Sequence, residues 1–165
     1  MAFDAFLKIS TIPGESTDEK FKDCIEIVSF TCGVVQPTSG AVSTAGGRTS
    51  ERADHLDFLV IKAIDKASPK LFLSCCNGDH IPDVTLTLNR SGKDKVKYME
   101  YKMSDVIVRS VRPGGNSKGP DQVPHEEVSF AYGKIAWTYT ETDHSTGKPK
   151  GDVKGQWSCI TNSGS

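Results

Sequence analysis

Apolar residues recur at every second position in several short segments of this chain. That period of two marks β-strands with one buried face and one solvated face. Phe3, Ala5, Leu7 and Ile9 share one face, as do Val84, Leu86 and Leu88, with Thr85, Thr87 and Asn89 opposite them. Val128, Phe130 and Tyr132 oppose Ser129 and Ala131, and Ile135, Trp137 and Tyr139 oppose Lys134, Ala136, Thr138 and Thr140. Further strands are expected at 96–103, 106–111 and 153–160. Turn clusters separate these segments: Pro13-Gly14, Asn77-Gly78, Ser91-Gly92, Pro113-Gly114-Gly115 and Ser145-Thr146-Gly147. Many short strands with such punctuation predict a mainly β fold, an antiparallel barrel or sandwich.

Two segments, 24–32 and 58–64, are apolar on both faces, so something must cover each side. One cover is a predicted helix over 68–78. Ser68 is placed to cap its first amides, Pro69 suits the first turn and Gly78 suits a left-handed stop. Leu71, Phe72, Cys75 and Cys76 fall at helical spacing and form its expected packing face. Another cover is a second subunit. Between Gly33 and Leu56 the chain is polar and glycine-rich, too long for an ordinary connection, and it reads as a projecting arm. Arg48, Glu51, Arg52 and Asp54 are its charged contact candidates, for a neighbouring subunit or ring.

The 165 residues suit a single domain, 1–165, with the arm at about 33–56. Acidic and basic residues nearly cancel, to a formal −1, which argues against bulk attraction to nucleic acid or anionic lipid. The first nine residues alternate like a strand and lack a basic leader and an apolar run, so no cleaved signal is expected. No stretch approaches the roughly 20 apolar residues of a membrane helix. Five cysteines, without paired C-x-x-C spacing, are expected as free thiols.

Chemistry-bearing patterns are sparse. Cys24 and Cys32, read on one straight strand, would lie roughly 26 Å apart and could not share a metal. Cys75 and Cys76 point about 100° apart on a helix, a poor arrangement for joint coordination. His80 beside these thiols suggests a small cysteine hydrolase, but activation needs a base in hydrogen-bond reach. No nucleophile elbow, phosphate loop or zinc-protease motif is present. The aromatics of 130–139 are expected in the core, although a base-stacking or sugar platform has the same pattern. On the residues alone, a monomeric β-sandwich binding module remains a second reading.

Longer stretches carry a resemblance. Ile12-Pro13-Gly14-Glu15-Ser16-Thr17-Asp18-Glu19-Lys20, Ile25-Glu26-Ile27 with Ser29-Phe30, and Ala53-Asp54-His55 with Asp57-Phe58 come first. Asp65-Lys66-Ala67-Ser68-Pro69, Lys97-Tyr98-Met99-Glu100-Tyr101-Lys102-Met103-Ser104-Asp105-Val106, Glu126-Glu127-Val128-Ser129-Phe130, Tyr132-Gly133-Lys134-Ile135 and Trp137-Thr138-Tyr139 follow in order. Together they resemble the Hcp (haemolysin-coregulated protein) family of type VI secretion. The resemblance implies a small β-barrel with one helix and six copies in a ring. Rings stack into a phage-tail-like tube, inside a sheath and behind a spike, with small effectors carried or chaperoned in the lumen. It implies no catalytic site, no cofactor and no membrane insertion, and because the chain stops soon after its last expected strand no fused toxin domain is expected. The subunit would be cytoplasmic before assembly and then secreted without a signal peptide.

Overall fold

The computed structural model describes residues 2–38, 51–92, 94–119 and 123–165. Strand β1 (Phe3–Ile9) lies between β2 (Ile25–Ile27) and β7 (His80–Arg90), and the sheet continues through β8 (Lys97–Gly114) to β9 (His125–Thr142). All of these pairings are antiparallel. The first half of β9 also pairs with β6 (Phe58–Ala63), and its second half pairs with β10 (Pro149–Ser158). β6 in turn carries β3 (Ser29–Thr31).

The predicted straight strand over 24–32 is broken. Val28 separates β2 from β3, and its N–H donates to the Ile61 carbonyl at 2.8 Å, so the chain steps from the edge of β1 to the edge of β6. That step closes the ring of pairings into a barrel, which removes the sheet edges at that seam. The bend also voids the sequence estimate of the Cys24–Cys32 separation, which assumed one straight strand.

The expected alternation is realised around the closed part. Ala5, Leu7 and Ile9 are buried, and so are Val84, Leu86 and Leu88. Phe58 and Val60 face them from β6. Each buried Val, Leu, Ile or Phe among them contributes about 1.5–3 kcal/mol. Phe6, on the opposite face of β1, is buried as well, because residues 10–24 fold back as a strap and stack Phe21 on it at 4.5 Å between centroids. Gly14 makes that strap possible: a Cβ there would lie 2.3 Å from the Cys24 carbonyl oxygen.

β8 and β9 each run for 18 residues, where the pattern predicts two short strands apiece. The reason is a change of phase within a continuous ladder. Met103 and Ile135 face the core at odd positions, whereas Val106, Val108, Val128 and Phe130 face it at even ones. The switch falls at Asp105, which has φ 51°, opposite Gly133. A Cβ on Gly133 would come within 3.0 Å of Asp105 Oδ2 and of Ile160 Cδ1, so a glycine accommodates the kink. Beyond Ile135 the second half of β9 leaves the barrel. Trp137 is only half-buried and Tyr139 is 45% exposed, which corrects the expectation that the whole aromatic run is core.

The helix α1 (Ser68–Asn77) forms where the sequence predicts it, with Pro69 in the first turn and Gly78 left-handed at φ 65°. Ser68 is not its cap. Ala67 holds that position without a side-chain bond, while the Asp65 carboxylate accepts the Ala67 N–H at 2.9 Å. Ser68 is drawn inward to a buried ion pair, in which Lys62 Nζ and Glu126 Oε1 lie 2.5 Å apart. The Ser68 hydroxyl donates to the same Oε1 at 2.6 Å, and Asp65 sits 2.8 Å from Lys62. The buried helix face is Ser68, Leu71 and Ser74, with Cys75 half-buried. Phe72 and Cys76, expected on it, are exposed because the barrel meets the helix about one position round from the apolar stripe.

Candidate assembly surface

The arm begins and ends as a two-stranded ladder. β4 (Val34–Val35) pairs with β5 (Asp54–His55), and the Leu56 N–H donates to the Gly33 carbonyl at 3.0 Å. Further out, the Glu51 N–H donates to the Pro37 carbonyl at 3.3 Å, and the Gln36 amide donates to the Glu51 carbonyl. Of the four charged candidates, Arg48 lies outside the described residues. Glu51 and Asp54 are exposed. Arg52 reaches back to its own chain and donates to the Cys159 carbonyl at 2.6 Å. Val34, Val35 and Leu56 are each about half exposed, leaving apolar surface at the foot of the arm that the charge pattern did not suggest.

That foot is fastened to the barrel by a cluster the sequence reading missed. His55 Nδ1 lies 2.9 Å from Tyr132 Oη, with the two rings edge to face. On its other side the imidazole is stacked near Trp157, 6.4 Å between centroids and 19° from parallel. Next to it, Arg109 holds Asp57 at 2.8 Å. Burial pushes the His55 imidazole down and the Cys32 and Cys159 thiols up. The phenol of Tyr132 is raised strongly, first by burial and then by both thiols and Asp57. The only signal in the sequence was Tyr132 and Trp157 at strand positions, which burial alone explains equally well.

β10 forms a flap outside the barrel. It pairs with β9 along one edge, and on the other, among the described residues, only its end is covered, by β11 (Ser163–Gly164) and Ser165. Val153 and Tyr139 are cross-strand partners, and with Ile160 they expose apolar surface at 68%, 45% and 70%. Phe72 and Leu73 do the same on the outside of α1.

The hydrolase constellation does not assemble. His80 Nδ1 bonds to Asp105 Oδ1 at 2.7 Å, in an exposed position. No cluster of three or more metal-ligating side chains exists among the described residues. What the surface offers is edges and apolar patches, which suit protein contacts better than bond-making chemistry.

Residues 6–139 match the family described as type VI secretion system effector, Hcp. The chain belongs to the Hcp family. It is 31% identical over 163 residues to the protein hcp1 of Pseudomonas aeruginosa, covering 98% of both chains. Among solved structures it is similar to one described as a type six secretion system protein, with a TM-score of 0.93 and 32% identity over 99% of this chain and all of that one. Hcp1 from Salmonella typhimurium superposes with a TM-score of 0.78 at 28% identity, over 99% of each. Hcp proteins are secreted by the type VI system and are structural, not enzymatic. The mainly antiparallel β architecture with one short helix is the Hcp fold.

Proposed function

We propose that this chain builds the inner tube of a type VI secretion system. Six copies close head to tail into a ring, rings stack, and the stack is expelled within its sheath and behind its spike. Small effector proteins travel in, and are chaperoned by, the lumen. The subunit waits in the cytoplasm and leaves through the machine itself, with no amino-terminal signal required.

The flank formed by the flap supports this reading most. From Pro149 to Gly155 the outer edge of β10 meets no strand among the described residues, and this stretch carries exposed Val153, with exposed Tyr139 across from it on β9. A long bare edge with apolar neighbours invites uncontrolled pairing. A closed ring offers a controlled partner, since a head-to-tail interface repeats one pair of complementary patches until it closes. Interfaces on the order of 1,000 Å² each would make it stable. The arm then serves the stacking step, with Arg48, Glu51, Arg52 and Asp54 as contacts that hold rings together yet let them part.

Negative-stain imaging of the purified protein tests the ring directly, with six-lobed particles around a central hole as the expected result. Light scattering that finds only monomers at high concentration would overturn the proposal in favour of a solitary binding module. Charge reversal at Arg48, which leaves the Arg52–Cys159 bond in place, is expected to weaken stacking while sparing single rings.

A further inference from the structure

The path of hydrogen-bonded strands has two ends. One is the flap, β10 with β11 on its last residues, and the other is β2, reached through the strap of residues 10–24. A head-to-tail contact joins two different patches of the same chain, so each subunit of a closing ring offers one flank and receives on the other. The chemistry of the two ends is complementary.

At the β2 end, the strap and the turn after β7 enclose a cleft of about 350 Å3 beside β1. Asp4, Asp18 and Glu26 line it, and Lys95 is its one cation among the described residues. That ammonium is already engaged: it pairs with Asp18 and lies 5.7 Å from the centre of the Phe6 ring. Asp4 accepts a bond of 3.3 Å from the Ser91 hydroxyl. Glu26, exposed on β2, belongs to no ion pair among the described residues. The cleft thus holds three carboxylates against one ammonium, with Phe3 41% exposed at its side.

At the flap end the carboxylates are engaged within the flap itself. Asp152 accepts the Thr140 hydroxyl at 2.7 Å, Asp143 accepts N–H groups from Ser145 and Thr146, and Glu141 has Lys150 at 3.7 Å. Lys148 and Lys154 are exposed and belong to no ion pair among the described residues. Lys154 follows exposed Val153 on the bare stretch of the β10 edge. Each flank therefore sets an exposed apolar side chain near an unanswered charge, and the two charges are opposite.

We propose that the cleft of Asp4, Asp18 and Glu26 receives Lys154 from the flap of a second copy of this chain. This names the two patches that meet in the ring, and it rests on the tube reading. The lysine stem packs along Phe3 while its ammonium reaches Glu26, which suits a side chain with an apolar body and a charged tip. Complementary charge sets register and excludes wrong pairings more than it adds affinity. Here the wrong pairing is flap against flap, in which two bare β10 edges would bring Lys154 against Lys154.

The test is reversal and exchange of the two charges in the full chain, read by light scattering and negative-stain imaging. Glu26→Lys alone and Lys154→Glu alone each oppose like charges, and half-assembly should need about tenfold or more protein. Mixing the two single variants should restore rings, because alternating subunits match at every contact and an even-membered ring accommodates the alternation. The double variant in one chain should assemble like the wild type. Single variants that form rings as readily as wild type would overturn the docking and leave the tube reading standing, as would losses that neither mixing nor the double variant restores. A wild-type chain that stays monomeric would overturn both. Should a reversed variant fold poorly, Glu26→Gln and Lys154→Gln form a double-mutant cycle: losses of assembly that fail to add support the contact, and losses that simply add overturn it.

Discussion

Replacing Lys62 with methionine probes the least expected feature of this molecule. Lys62 is fully buried, and its ammonium lies 2.5 Å from Glu126 Oε1 and 2.8 Å from Asp65. Glu126 is 1% exposed, and its second oxygen has no partner among the described residues. Methionine keeps much of the lysine stem's volume but leaves the Glu126 carboxylate buried with, among the described residues, only the Ser68 hydroxyl donating to it. Breaking one side of a buried pair costs about 3–5 kcal/mol, because the remaining charge is uncompensated. For a chain of this size each kcal/mol moves the melting midpoint by about 2–4 °C, so Lys62→Met should melt roughly 6–20 °C lower. Urea melts at one fixed protein concentration supply the free-energy difference with the mass-action contribution of assembly held constant. The double variant Lys62→Met with Glu126→Leu removes both charges and should recover most of the loss. A single variant within about 0.5 kcal/mol of wild type would refute the reasoning. A double variant no better than the single would show that packing of the lysine stem, not charge, carries the effect.

Gly14→Ala should destabilise the subunit by about 1–3 kcal/mol in the same melts, since the new methyl meets backbone at 2.3 Å; Gly92→Ala, with nothing within 4 Å, is the near-neutral control. Alkylation followed by mass spectrometry should label exposed Cys76 first and Cys24 last, because Cys24 is buried and burial holds its thiol high; equal rates would mean that the strap over it opens readily. Val153→Asp should leave the melting of an isolated subunit within about 0.5 kcal/mol of wild type while reducing ring formation in light scattering, and intact rings would move the interface elsewhere.

The strands were legible where one face meets the core and the other meets water, as in β1 and β7. Three kinds of residue hid the rest. Lys62 occupies an inward position in a segment read as apolar on both faces, and no local pattern announces a partner 64 positions away. Asp105 and Gly133 reverse the phase of two paired strands together, so each long strand reads as two short ones. The second half of β9 keeps the spacing of a core strand after it has left the core, which is why Trp137 and Tyr139 looked more buried than they are. At the assembly surface the sequence indicated an arm and its charges, but the His55 cluster depends on contacts across the fold, to Tyr132 and Trp157, that spacing cannot reveal. The family resemblance supplied what periodicity could not, and the match over residues 6–139 bears it out.

Because β10 hangs from the far half of β9, the connection between them is an overhang that the barrel does not need. Its tip, from Asp143 to Lys148, closes on itself: the Asp143 carboxylate accepts N–H groups from Ser145 and Thr146, and the Gly147 N–H returns to the Asp143 carbonyl. A short foreign peptide spliced in after His144 would break these bonds of the tip, yet, hung outside the barrel, it would ride on the subunit like a flag on a mast. Its presence should register in melts of the isolated subunit as no more than a slight shift.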